Sequence, residues 1–168
     1  MNDADFLLTV AEVGATFAGF AGLVTILARR VGQTATSEVE VHLLYRMLLV
    51  SMLAVAAALA PRLPLRFGAS ELQAWRISCA AFFVGWLLYY VPAVRRVIAV
   101  IDPAKLTGGR PLLYFNQLVH VIVGLGLITG ASGLWGEATP AIYLSALCAM
   151  LYMAGVLFVT LFMLLARR

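Results

Sequence analysis

Long apolar stretches alternate with short polar segments along the chain. No Asp, Glu, Lys or Arg occurs in 77–94, 111–136 or 138–166. Roughly 20 residues of helix are needed to cross the hydrocarbon core of a bilayer, and uncharged apolar runs of this length are typical of membrane spans. The pattern therefore predicts one transmembrane domain over residues 1–168, built from five helices at about 6–28, 40–60, 71–91, 111–131 and 140–166.

Local signals set the ends of several predicted spans. Ser70 and Gln73 have the spacing of a capping box, which predicts that the third span starts there. Pro92 is expected to end or kink that span, because proline lacks an amide hydrogen and clashes with the preceding turn. Residues 97–101 then either extend the helix or form an interfacial turn. Thr139 followed by Pro140 is interpreted as a cap with a first-turn proline, which predicts the start of the fifth span.

Composition supports the membrane assignment. The 168 residues are 63% apolar and 12% charged, whereas soluble domains have about 45–50% apolar and about 25% charged residues. Five spans use most of the 168 residues, so no separate soluble catalytic or nucleic-acid-binding domain is expected within them. The predicted fold class is an all-α, polytopic integral membrane protein, a bundle of five transmembrane helices. The lipid bilayer is therefore expected to surround it.

Basic residues are distributed unequally between the two sides of the predicted bundle. The side with the N-terminus carries Arg62 and Arg66, and the other side carries eight basic residues: Arg29, Arg30, Arg95, Arg96, Lys105, Arg110, Arg167 and Arg168. Lys and Arg collect in cytoplasmic loops, so the N-terminus is predicted outside and the C-terminus inside, in an inner or plasma membrane of bacterial type. The net charge of +4 is thereby explained without nucleic acid as a partner.

Aromatic residues near the predicted span ends fit the two membrane interfaces. Amphipathic rings favour the headgroup level. The residues expected at the outer interface are Trp75, Trp135 and Tyr143, and those expected at the inner interface are Tyr89, Tyr90 and Tyr114.

The first span combines a polar face with a small-residue face. Residues three and four apart share one face of a helix, so a polar stripe is predicted from Asp5, Thr9, Glu12, Thr16 and Gly19. A second stripe of small side chains permits close helix approach; it comprises Ala11, Gly14, Ala15, Ala18 and Gly22. Leu23 and Ile26, lower on or near the polar face, could form an apolar gate.

Two interpretations of Glu12 remain open from the sequence. A carboxylate within a span costs at least about 2.5–3.5 kcal/mol on insertion scales, so it requires water or a partner. Glu12 either lines a water-filled path, or it pairs with a cation such as Arg76 at a similar depth in the third span.

Three other polar residues lie within predicted spans, and structural roles are favoured for them. Arg46 is expected to extend toward the headgroups, although an inner vestibule is the alternative. His120 and Asn116 lie one turn apart in the fourth span. A neutral imidazole hydrogen-bonded to an amide is the preferred interpretation there.

The functional hypotheses follow from the first span. The leading one is a homo-oligomeric cation or proton channel, in which a ring of Glu12 carboxylates near the outer mouth selects the permeant cation. The alternative is a small accessory or assembly protein that packs against itself or another membrane protein. A carrier or an embedded enzyme has less support, because no catalytic, phosphate-binding or metal-binding motif is found. No cofactor and no metal site are predicted, and the chain is not expected to be an enzyme.

Overall fold

The structure is a computed structural model that describes residues 3–30, 38–100 and 109–166. Nearly all of these residues are helical. The helices are α1 (Asp3–Arg30), α2 (Glu38–Leu59), α3 (Arg62–Arg66), α4 (Glu71–Val100), α5 (Gly109–Ser132) and α6 (Thr139–Ala166), with a 3₁₀ turn at Gly136–Ala138. No strand occurs in these ranges. Five of the described helices (α1, α2, α4, α5 and α6) are long and apolar enough to cross a membrane, which confirms the predicted all-α class and the five candidate spans.

Four of the five long helices form two neighbouring pairs, α1–α2 and α4–α5, and the fifth, α6, packs against both pairs. Helix α1 packs on α2 and α6, while α5 packs on α4 and α6; α2 also contacts α4. The core between them contains large, fully buried side chains that include Met47, Leu127, Tyr143, Leu147 and Met150. This arrangement leaves α1 and α5 at the periphery, where each presents a broad outer face.

Helix α4 passes through Pro92 and ends only at Val100. Of the two outcomes expected at Pro92, an end of the span is therefore wrong, whereas a kink stays a prediction. The alternative of a helical extension is correct as far as Val100. Proline is tolerated within apolar bundles when packing holds the flanking turns in place. Here Tyr89 and Ala93, on either side of Pro92, are both buried.

A hydroxyl group from another helix contributes a hydrogen bond at the end of α2. In a continuing helix the carbonyl of Ala57 would accept the amide hydrogen of residue 61, but residue 61 is proline and has none. The hydroxyl of Tyr143 on α6 donates to that carbonyl instead. Tyr143 is completely buried, so the partner of its hydroxyl lies inside the bundle; its depth at the outer membrane interface stays a prediction.

The two predicted helix starts have different outcomes. The Ser70 amide donates to Gln73 Oε1 over 3.1 Å, and the Gln73 amide donates to Ser70 Oγ over 3.4 Å, so the capping box of α4 is confirmed. Thr139 does not act as a cap. It already has helical backbone angles, and its hydroxyl donates to the Gly136 carbonyl over 2.7 Å, because a 3₁₀ turn leads directly into α6.

Candidate functional site

The polar stripe of α1 lies on the side of the helix that faces away from the bundle. Among the positions of α1 whose burial is described (3–24), the buried ones are Leu7, Val10, Gly14 and Ala21. The five stripe residues are all exposed: Asp5, Thr9, Glu12, Thr16 and Gly19. At 3.6 residues per turn, the centres of these two sets are about 170° apart around the helix. The stripe is therefore presented outward by a single copy of the chain.

The threonines and the carboxylate of the stripe differ in how they are partnered. Thr9 donates its hydroxyl hydrogen to the Asp5 carbonyl over 2.9 Å, and Thr16 donates to the Glu12 carbonyl over 2.8 Å. Such bonds within one helix satisfy the hydroxyl donors and leave oxygen lone pairs for another ligand. Among the residues that the structure describes, none forms a hydrogen bond or ion pair with the Glu12 carboxylate.

Arg76 is directed toward a different part of the bundle. Its Nη2 donates to the carbonyl of Ser132 over 2.9 Å, and its guanidinium lies directly against Gly133. Both contacts are with the end of α5 and the turn after it, whereas α1 packs on α2 and α6. Within one copy, the described residues thus do not bring Glu12 and Arg76 together.

The residues considered as a gate are described only in part. Leu23 continues the stripe and is 53% exposed. The side chain of Ile26 lies outside the described residues. An apolar side chain, that of Leu23, therefore follows the polar ones along the same outer face of α1.

The small-residue stripe of α1 is divided between two environments. Gly14 lies against α2, where an added Cβ would be 3.0 Å from Val55 Cγ2 and 3.2 Å from the Ser51 carbonyl oxygen. Ala11 and Ala18 are half-buried, whereas Ala15 and Gly22 are exposed. Part of the stripe permits the close approach of α1 and α2, and the rest borders the polar face.

A second polar cluster connects α2, α4 and α5 inside the bundle. Arg46 donates from Nη2 to the Tyr89 hydroxyl over 3.2 Å, and its guanidinium carbon is 5.7 Å from the centre of the Tyr89 ring. This contact combines a hydrogen bond with a cation–π interaction. Tyr89 is itself buried, and its depth at the inner membrane interface stays a prediction.

Helix α4 donates two further hydrogen bonds to α5 in this cluster. Trp86 Nε1 donates to His120 Nδ1 over 3.4 Å, and the Tyr90 hydroxyl donates to Gln117 Oε1 over 2.8 Å. His120 is buried and its ring lies 4.8 Å from that of Tyr90. The partner of His120 is therefore an indole, not the amide expected from the sequence. Accepting this bond requires Nδ1 to carry no hydrogen.

Two buried polar atoms of the cluster have no hydrogen-bond partner among the described residues, namely Arg46 Nε and Asn116 Oδ1. The sequence interpretation missed Trp86 altogether. Trp86, Tyr89 and Tyr90 are spaced at i, i+3 and i+4, which places all three on one face of α4. That spacing was the available signal, but it does not distinguish a face toward lipid from a face toward another helix.

The described residues contain no group of three His, Cys, Asp or Glu side chains placed to hold a metal ion. Cys79 is buried, Cys148 is exposed, and both are free thiols. Comparison with models of protein families, with curated proteins and with solved structures finds no match in any of the three.

Proposed function

We propose that the chain forms a homo-oligomeric cation channel in which copies of α1 surround the axis and the Glu12 carboxylates form a ring. One observation carries the proposal: Glu12 lies in an apolar helix, on its outer face, with no partner among the described residues. Facing lipid, this carboxylate would cost at least about 2.5–3.5 kcal/mol. Water shared between neighbouring copies would remove most of that cost.

The packing of α1 is compatible with this arrangement. The buried face of α1 attaches it to α2 and α6, which leaves the opposite face for the axis. Along that face Asp5 precedes Glu12 by seven residues, or about 10 Å at 1.5 Å per residue. In the orientation that the basic residues favour, with the N-terminus outside an inner or plasma membrane, Asp5 attracts cations to the mouth and Glu12 selects them by charge. Leu23 would form an apolar constriction farther inside. No catalytic step is part of this proposal.

Ion flux through liposomes that contain the purified protein tests the proposal. Glu12→Gln removes the charge and keeps the size, so it should reduce the preference for cations over anions. Glu71→Gln is the matched control, because Glu71 is an exposed carboxylate in the first turn of α4, outside the polar stripe. Absence of flux for the unchanged protein, a strictly monomeric mass in detergent, or equal selectivity of the two variants would refute the channel.

The alternative is an accessory protein whose α1 packs against another membrane protein. The exposed positions of Ala15 and Gly22 favour it, since small residues allow a partner helix to approach closely. Silent liposomes, together with a second protein that copurifies and is lost when Gly22 is replaced by Leu, would support this function over the channel.

A further inference from the structure

Arg76 lies on the outside of the α4–α5 pair, against the end of α5 and the turn after it. Gly133 has a φ of +82°, and an added Cβ there would overlap the Arg76 guanidinium. Glycine at this position therefore permits both the left-handed turn and the close approach of the cation. With Nη2 bonded to the Ser132 carbonyl, the guanidinium has little freedom to turn away from α5.

Beside Arg76 a shallow groove of about 490 Å³ runs along the outer surface of α4, next to α5. It is lined by Gln73, Arg76, Ile77 and Ala80 of α4 and by Ala131 of α5. The first four have the i, i+3, i+4, i+7 spacing of one helix face. From Gln73 to Ala80 the groove changes from polar to apolar over about 10 Å, or seven residues at 1.5 Å each.

Hydrogen-bond donors remain available at the polar end of the groove. Arg76 uses Nη2 for Ser132, and no described residue accepts from its Nε or Nη1. Gln73 uses Oε1 to accept the Ser70 amide, and its amide hydrogens have no acceptor within the described ranges. A planar fork of guanidinium donors matches the oxygens of a phosphate group.

We propose that this groove binds one phospholipid with a net negative headgroup, its phosphate on Arg76 and the first part of an acyl chain along Ile77, Ala80 and Ala131. The order of the lining residues follows the order of groups in a lipid: a cation and an amide near the helix start, then small apolar side chains deeper in the span. Arg76 lies only five residues after Glu71, about 7.5 Å from the start of α4, at a depth from which a long basic side chain reaches the headgroups.

A bound lipid fits the observations better than a free anion. An inorganic phosphate would use Arg76 and Gln73 but would not need the apolar half of the groove. A lipid uses both halves, and the side chains of Ala80 and Ala131 are small enough to leave room for a chain between the two helices. This site is separate from the stripe of α1, so it does not depend on conduction.

Native mass spectrometry of the full-length protein in detergent, titrated with phosphatidylglycerol or phosphatidylcholine, tests the proposal. One phosphatidylglycerol should remain bound per chain, with lower occupancy by phosphatidylcholine. Arg76→Gln should weaken phosphatidylglycerol binding about tenfold, the effect of losing a charge-assisted hydrogen bond. Arg66→Gln is the matched control, because Arg66 is an exposed cation in α3 just before α4 and lies outside the groove; its binding should be unchanged.

A second variant addresses the acyl chain without touching the cation. Ala80→Leu fills the groove and should weaken lipid binding while Arg76 keeps its contacts. The test therefore does not depend on Arg76→Gln alone, should that variant fail to fold. Three results would overturn the proposal: equal losses for Arg66→Gln and Arg76→Gln, unchanged binding for Ala80→Leu, or displacement of the lipid by inorganic phosphate at similar concentration.

Discussion

Replacing Tyr143 with Phe removes one hydroxyl from the centre of the bundle and leaves the Ala57 carbonyl without its donor from α6. An unsatisfied buried acceptor costs about 1–3 kcal/mol in general, while interhelical hydrogen bonds in membrane proteins average about 0.6 kcal/mol. The Ala60 amide is 3.2 Å from the same carbonyl, which keeps it partly satisfied. We therefore expect Tyr143→Phe to lower the free energy of unfolding by about 1 kcal/mol.

The role of Pro61 makes this prediction specific. Pro61→Ala supplies an amide hydrogen at the position where the Ala57 carbonyl would accept it, so Tyr143→Phe should cost less in that background. We expect a coupling energy of at least about 0.5 kcal/mol between the two substitutions, as found for groups that share a partner. Reversible unfolding in mixed detergent micelles, followed by circular dichroism, measures the stability of the unchanged protein, the two single variants and the double variant.

Tyr152→Phe on the same helix is the matched control. Tyr152 is 43% exposed, whereas Tyr143 is completely buried, so the same chemical change should leave stability almost unaltered at position 152. Equal stability of the two single variants would refute the buried hydrogen bond. An equal cost of Tyr143→Phe with proline or alanine at position 61 would refute the role assigned to the missing amide.

Two further predictions concern close contacts at glycine. An added Cβ at Gly124 would be 2.6 Å from Trp86 Cη2, whereas none of the described atoms lies within 4 Å at Gly155. Both substitutions by Ala gain similar helix propensity. Gly124→Ala should therefore be less stable than Gly155→Ala by about 1–3 kcal/mol, and its tryptophan fluorescence should change. Equal stability of the two variants would contradict the close contact. Gly14→Ala should likewise destabilise the bundle relative to Gly22→Ala, because Gly14 adjoins α2 while Gly22 is open; thermal unfolding in detergent measures both, and a more stable Gly14→Ala would contradict this packing.

The features that sequence patterns predicted correctly are those with local causes. Apolar runs of about 20 residues with few or no charges are sufficient to predict the five long helices, since a span must satisfy its own backbone hydrogen bonds. The capping box at Ser70 and Gln73 is also local, because both partners lie within one turn. By contrast, continuation through Pro92 depends on how the turns around it pack, and no pattern within the helix contains that information.

Helix faces were harder to assign than helices, for a physical reason. In a soluble protein an apolar face points inward, but in a bilayer both the lipid and the core are apolar. Spacing correctly grouped Glu12 with Thr9 and Thr16, and only the fold shows that this face points away from α2 and α6. The same ambiguity hid the inward direction of Trp86 and Tyr89.

Helix α6 follows in the chain every helix that it contacts. The helices of each pair, α1–α2 and α4–α5, follow one another directly in the sequence. Helix α6 contacts all four of them. Synthesis proceeds from the N-terminus at about 5–20 residues per second, so both pairs leave the ribosome before the helix that joins them. Until α6 emerges, the surfaces that will enclose Tyr143 and Met150 remain uncovered, and completion of the bundle is a late event in biogenesis.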